Sequence, residues 1–268
     1  MGNEAFRYDG KRALVVGGAT GMGAATAQVV ADLGGEVVVM DVAEIDLPVK
    51  QAIRVDLRDK ESVDAAVDEI SAGPLDAVFC CAGVADGTPG IMLINFTAQR
   101  HLVERLLERD ALPRGAAIAM ISSVAGLGWQ QALPTLGEFL DTPDWESAAA
   151  WVAEHEGTDN YVFSKQAVNA YIARQAFPLL KRGIRINGIE PGPTDTPLAR
   201  ANEDLWLGFA KGYNEAAGVD FLTSRQMAET LAFLCSPAAS GVNGVSFLVD
   251  QGQVNSGITG SFGQAFLG

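Results

Sequence analysis

The segment that most constrains this chain lies near its start. A run over 12–18 is apolar almost throughout, and it ends in Gly17-Gly18-Ala19-Thr20-Gly21-Met22-Gly23. An alanine-rich stretch with helical spacing follows over 21–33. A strand that is apolar at consecutive positions is buried on both faces, which is the pattern of a parallel sheet covered by helices. Glycine lets the following turn be tight and lets backbone approach a ligand closely. It also opens a helix whose free N–H groups and dipole favour an anion. A strand, a G-x3-G-x-G turn and a helix in that order point to an α/β fold with a dinucleotide site. The spacing is a relative of the usual fingerprint and not a literal match to it. A glycine-rich turn with no ligand is the plainer alternative.

The alternation continues along the chain. The spacing predicts further strands over 36–42, 52–57, 75–81, 116–122, 185–189 and 245–249, and helices over 60–70, 91–108, 161–180 and 223–235. Strands alternating with helices form parallel sheets through right-handed crossovers. The expectation is a Rossmann-like, doubly wound sheet with helices on both faces, as one domain over 1–268. With 48% hydrophobic and 19% charged residues, the chain can bury a large core. Two segments depart from the alternation. Residues 131–157 follow the fifth strand and hold a helix-like run over 145–155, so a helical insertion is expected. Residues 195–222 follow the sixth strand and carry an apolar stripe, including Leu205, Trp206, Phe209 and Tyr213. Open α/β sheets bind ligands beyond the C-terminal ends of their strands, so this stripe is a candidate substrate lid.

The formal net charge is −14, which argues against nucleic acid and anionic membrane surfaces as partners. The longest apolar runs are of strand length, well short of the roughly 20 residues of a membrane span. The first residues lack the apolar core of a secretory leader. Three cysteines, Cys80, Cys81 and Cys235, suit neither a disulfide framework nor a metal site, and no metal is expected. The expectation is a cytoplasmic, reduced protein. His101 and His155 lie in helix-like stretches outside any Ser–His–Asp context.

Several side chains carry candidate chemistry. Asp41 closes the second strand, where a carboxylate accepts hydrogen bonds from an adenosine ribose and repels a 2′-phosphate. Thr20 precedes the second fingerprint glycine and Val42 follows the aspartate, so neither position offers a cation to a phosphate. NAD is therefore expected over NADP. Asp56 ends the third strand and is positioned for an adenine amino group, or for an ordinary cap. Tyr161 and Lys165 are four apart on one helical face. An ammonium and an oxidised nicotinamide beside Tyr161 would bring its pKa, about 10 in isolation, down toward working pH. Such a phenolate serves as general base for an alcohol. Exposed Tyr–Lys pairs without function are common. Ser123, at the end of the fifth strand, is placed to hydrogen-bond a substrate oxygen or to cap a turn.

Taken together, Gly17, Gly21, Gly23, Asp41, Cys81-Ala82-Gly83, Asn95, Ser123, Tyr161-x3-Lys165 and Pro191-Gly192 occur in order. The chain thus resembles the short-chain dehydrogenase/reductase family over residues 10–252. The resemblance implies Tyr161 as acid/base, Ser123 holding the reacting oxygen, Lys165 on the nicotinamide ribose and Asn95 supporting a proton-relay water. It implies cofactor contacts from Gly17, Thr20, Gly21, Met22 and Gly23, from Asp41, Val42, Asp56 and Leu57, and from Cys81, Ala82 and Gly83. Tyr161 and Lys165 join these, with Pro191, Gly192, Thr194 and Thr196 meeting the carboxamide. Val16 stands where the family usually has Thr, and Cys80-Cys81 where it has two Asn. Tyr161 follows Ser123 by 38 residues, an interval lengthened by the 131–157 insertion. That insertion, Cys-Ala-Gly and the Pro-Gly-Pro-Thr segment are similar to the bacterial 3α-hydroxysteroid dehydrogenase/carbonyl reductase subgroup.

The implied function is NAD(H)-dependent interconversion of a bulky apolar secondary alcohol and its ketone, a 3α-hydroxysteroid being the sharpest expectation. An aryl or terpene alcohol dehydrogenase is the alternative within the family, and a non-catalytic NAD(H)-sensing protein the alternative outside it. The partners expected are a small alcohol or ketone and further copies of the chain. The insertion precedes the helix through which many family members assemble, so a homodimer is favoured over a homotetramer. The tail over 252–268, with Phe262, Phe266 and Leu267, would cross to a partner or cover the substrate site.

Overall fold

The structure is a computed structural model that describes residues 4–70 and 73–263. Seven parallel strands form one sheet: β1 (Arg12–Val16), β2 (Glu36–Asp41), β3 (Gln51–Arg54), β4 (Ala77–Cys80), β5 (Ala117–Ile121), β6 (Arg185–Pro191) and, at the far edge, β9 (Ser246–Val249). Their order is β3-β2-β1-β4-β5-β6-β9. The winding direction reverses between β1 and β4, so the two strand ends that diverge there open a crevice.

Alternate residues of the central strands serve two cores. In β1, Leu14 and Val16 join the core beneath α2 (Lys60–Glu69), α3 (Ala98–Glu108) and α6 (Tyr161–Lys181). Ala13 and Val15 join the core beneath α1 (Gly21–Asp32) and α10 (Ser224–Cys235). The same split holds for β2, where Val38 and Met40 face one layer and Val37 and Val39 the other. This is why the central strands read as uninterrupted apolar runs. It makes the architecture an α/β doubly wound sheet with helices on both faces.

Three local expectations are corrected. The stretch 91–108 is not one continuous α-helix: Leu93–Thr97 forms a π-helical turn before α3. The third strand spans Gln51–Arg54 and leaves Asp56 and Leu57 in the turn beyond it. The insertion holds two helices, α4 (Leu133–Leu140) and α5 (Trp145–Glu154). Phe139 of α4 is fully buried against Phe96, Trp151 and Phe163, which ties the insertion to the body of the sheet's helical layer.

After β6 the chain forms β7 (Thr194–Asp195), α7 (Pro197–Arg200), α8 (Glu203–Trp206), α9 (Lys211–Ala217) and β8 (Leu222–Thr223). The short strands β7 and β8 pair in parallel, Thr194 with Leu222 and Asp195 with Thr223, and so close the base of this excursion. The tail begins with α11 (Gln253–Thr259) and folds back on the same excursion. Tyr213 donates its hydroxyl to the Gln251 carbonyl at 2.8 Å, and its ring meets Phe262 edge-on at 5.1 Å. Phe266 and Leu267, also expected to act in the tail, lie outside the described residues.

Candidate active site

Two cavities, of about 430 and 440 Å3, open side by side over the C-terminal ends of the strands. They share Met22, Cys81, Gly83, Thr196 and Leu198 and form one cleft. Each lies within the range of about 300–1,000 Å3 typical of small-molecule sites.

The first cavity is built on the glycine turn. Gly17 has φ +79°, and a Cβ there would stand 2.4 Å from Ala82 Cα. A Cβ on Gly23 would stand 2.0 Å from the Gly17 carbonyl oxygen. Side chains at these positions would push β1 away from β4 and α1 away from the turn. Asp41 stabilises the turn from the side: its carboxylate accepts from Ala19 N–H and Ala43 N–H, both at 2.9 Å. Every cofactor residue expected from Gly17 to Gly83 lines this cavity: Gly17, Thr20, Gly21, Met22, Gly23, Asp41, Val42, Asp56, Leu57, Cys81, Ala82 and Gly83. Backbone N–H groups at a helix start, a carboxylate beyond them and an apolar wall suit an adenosine diphosphate group.

Asp56 lines the cavity, but Arg58 holds its carboxylate through two side-chain contacts at 3.0 and 2.6 Å. The sequence reading missed Arg58, although it stands just beyond a strand end where ligands bind. Pairing with Arg58 keeps the Asp56 carboxyl below the usual carboxylate range.

The second cavity is built around α6. Asn160 caps this helix by accepting from Phe163 N–H at 2.9 Å, so Tyr161 is its first residue. The N–H of a first helical residue has no partner within the helix. Here it donates to Asp86 Oδ1 at 2.7 Å. One turn on, Lys165 is only 3% exposed and donates from Nζ to the Ile121 carbonyl at 3.0 Å. Its ammonium lies 5.4 Å from the centre of the Tyr161 ring. Ser123 follows β5, and its Oγ accepts from Ala125 N–H at 3.1 Å. Ser123, Tyr161, Lys165, Pro191, Gly192, Thr194 and Thr196 all line this cavity. Thr194 donates to the Gly192 carbonyl at 2.8 Å, and Thr196 caps α7 by accepting from Ala199 N–H at 3.0 Å. From α8, Trp206 brings its ring to 5.0 Å from that of Tyr161.

In the protein without a cofactor, burial dominates the electrostatics of Tyr161 and Lys165. Burial raises the Tyr161 pKa above the ordinary tyrosine value; Ser123 hydrogen bonding opposes this and Asp86 adds to it. Burial also lowers the Lys165 pKa, to about 8. Asn95 lines neither cavity. Its amide accepts from Val84 N–H at 2.8 Å and donates to the Val84 carbonyl and to Ser164 Oγ, both at 3.1 Å. The side chain therefore pins the loop after β4 to the π-helical turn, and both its amide hydrogens are spent there.

Other expected features are also placed. His101 bonds Asp64 at 2.9 Å, and His155 stacks on Trp151, both away from the cleft. Cys80 and Cys235 are buried and Cys81 half-buried, all as free thiols. Among the described residues there is no group of three metal-ligating side chains, and no helix is long and apolar enough to cross a membrane.

A fold of this order, with Ser, Tyr and Lys side chains converging beside a glycine-lined cleft, defines a nicotinamide-dependent oxidoreductase of alcohols and ketones. The chain belongs to the short-chain dehydrogenase/reductase family. A family model described as "short chain dehydrogenase" matches residues 11–134, and one described as "Enoyl-(Acyl carrier protein) reductase" matches residues 145–253. It is 32% identical to the cis-4-hydroxycyclohexanecarboxylate dehydrogenase of Sinomonas cyclohexanicum, over 90% of this chain and 95% of that one. It is 29% identical to the 3-alpha-hydroxysteroid dehydrogenase/carbonyl reductase of Comamonas testosteroni, over 89% and 95%. Its structure is similar to that of the 3-alpha-hydroxysteroid dehydrogenase from Pseudomonas sp. B-0831 complexed with NADH, with TM-score 0.71 and 25% identity over 94% and 100% of the two chains.

Proposed function

We propose that this enzyme uses NAD(H) to interconvert a bulky, apolar secondary alcohol and its ketone, with a 3α-hydroxysteroid as the leading substrate candidate. The observation that carries the reading is the convergence of Ser123, Tyr161 and Lys165 on a cavity continuous with the glycine-lined one. When bound, the nicotinamide ring supplies the hydride acceptor or donor and, in its oxidised form, a positive charge. In oxidation, Tyr161 Oη takes the hydroxyl proton of the alcohol; in reduction it returns it. Ser123 Oγ donates to the reacting oxygen and holds it beside Tyr161. Lys165 keeps two ammonium donors beyond its bond to Ile121, enough to hold ribose hydroxyls. Leu205, Trp206 and Phe209 offer the apolar wall that suits a bulky alcohol and excludes water from it.

Asp41 supports NAD over NADP. Its carboxylate lines the first cavity beside the glycine turn, where the 2′-phosphate of NADP would meet a like charge. The free thiols fit a cytoplasmic protein.

The test is reduced-nicotinamide absorbance with NAD and, separately, NADP. The alcohols are 3α- and 17β-hydroxysteroids, cyclic terpenols and cinnamyl-type alcohols. NAD-dependent turnover is expected, with Tyr161→Phe lowering kcat by about 10²–10⁴-fold. Preference for NADP would overturn the role of Asp41. Turnover surviving in Tyr161→Phe would overturn the acid/base role of the tyrosine. NADH binding without turnover of any alcohol would favour a sensor.

A further inference from the structure

The catalytic cavity has an uneven charge. Among the side chains that line it, only those of Asp86 and Lys165 belong to charged residue types. Lys165 is buried at the floor and committed to the Ile121 carbonyl. Asp86 is exposed at the rim, and among the described residues it forms no ion pair. Its hydrogen bond to Tyr161 N–H fixes one carboxylate oxygen at the start of α6 and leaves the other free to face the opening. Leu205, Trp206 and Phe209, which line the same cavity, offer no counter-charge.

We propose that Asp86 is a specificity-determining residue that makes the enzyme discriminate against anionic alcohols and favour neutral or cationic ones. The proposal deepens the alcohol dehydrogenase reading above and rests on it. A substrate whose hydroxyl reaches Tyr161 must lay the rest of its body past the first turn of α6, where Asp86 sits. A carboxylate there meets an unpaired like charge. The negative field of Asp86 already reaches the Tyr161 phenol, whose ionisation it opposes. Like charges about 7 Å apart across a wet rim change kcat/KM by roughly 3- to 8-fold. The carboxylate of cis-4-hydroxycyclohexanecarboxylate, the alcohol in the name of one relative, is thus disfavoured in this cavity.

The experiment compares three alcohols with one ring and three charges. They are cis-4-hydroxycyclohexanecarboxylate, its primary amide, and cis-4-(aminomethyl)cyclohexanol. Rates are measured with NAD for the wild-type enzyme and Asp86→Asn, and binding is followed in parallel by tryptophan fluorescence, since Trp206 lies against Tyr161. Asparagine keeps the acceptor for Tyr161 N–H, so the helix cap survives. The readout is the ratio of each charged compound to the amide, which cancels any general loss of activity or fold. The wild type is expected to rank the amine at or above the amide and the carboxylate below it. Asp86→Asn is expected to raise the carboxylate-to-amide ratio about 3- to 8-fold and to lower the amine-to-amide ratio. Salt should move the wild-type ratios the same way, as the screening length falls from roughly 30 Å at 0.01 M to about 3 Å at 1 M. Ratios unchanged by Asp86→Asn, in turnover or in binding, overturn the proposal. A wild type that prefers the carboxylate to the amide does so too. Three alcohols that bind in the predicted charge ranking but are never oxidised overturn the dehydrogenase reading and leave the role of Asp86 standing.

Discussion

Replacing Glu190 by glutamine tests how this fold tolerates an acid beneath its active site. Glu190 is the residue of β6 before Pro191 and is only 5% exposed. Its carboxyl accepts one hydrogen bond, from Asn169 Nδ2 at 2.7 Å. The same Asn169 nitrogen donates to the Gly126 carbonyl at 3.2 Å, in the turn that carries Ser123, while its Oδ1 is buried without a partner. Burial raises the Glu190 pKa from 4.5 to about 7, and the bond from Asn169 opposes the rise. A proton on Glu190 would also give the orphaned Oδ1 a donor nearby.

The folded protein therefore holds a proton on Glu190 that the unfolded chain releases near its ordinary value. The stability contributed by that proton is complete below about pH 4 and is lost as pH rises through about 7. A displacement from 4.5 to about 7, at about 1.4 kcal/mol per pH unit, costs about 3 kcal/mol once the group is ionised. Glutamine is neutral at every pH and carries a donor for Asn169 Oδ1. Urea unfolding of wild type and Glu190→Gln, at one protein concentration, should show similar stability at pH 5. At pH 8.5 the variant should be ahead by roughly 2–3 kcal/mol more than at pH 5. A difference between the two proteins that is the same at both pH values would refute the reasoning, because Glu190 would then titrate alike in the folded and unfolded states.

Two further outcomes follow from the packing. Phe139→Ala removes a fully buried ring at 5.4, 5.2 and 5.7 Å from Phe96, Trp151 and Phe163, and should cost about 3–5 kcal/mol in denaturant unfolding. A loss below about 1 kcal/mol would mean that the insertion is not part of the main core. Because α4 packs on α6, the insertion covers part of the helix that many family members use for assembly, and light scattering should give a dimer. A tetramer at micromolar concentration would count against this.

Sequence and structure agree where one residue's neighbours in the chain decide its role. Gly17 and Gly23 are legible because no Cβ fits there, and Tyr161 and Lys165 because four residues of helix put both on one face. The strands are legible because both their faces are buried. Within the insertion only the run over 145–155 was legible as a helix; α4, which contains Pro134 and Gly137, was not. In fact Pro134 sits in the first turn, where a missing N–H removes no hydrogen bond. Asn95 was legible as a position, but its hold on the loop at Val84 was not, since the two are joined by side-chain bonds that exist only in three dimensions. Arg58 was missed although it stands only two residues from Asp56, because no motif marks the pairing that decides what Asp56 can still offer a ligand.

Asp86 shows most clearly why such features escape a reading of the chain. It lies 75 residues from Tyr161, in a turn with no motif, and it reaches the site only because the first N–H of α6 needs an acceptor. Satisfying that N–H with a carboxylate also places a charge at the mouth of the cavity. One local requirement of helix termination thus sets the electrostatics seen by a substrate. The motif residues define what reaction the site can perform; the uncatalogued residue that completes the helix biases which molecules arrive to undergo it.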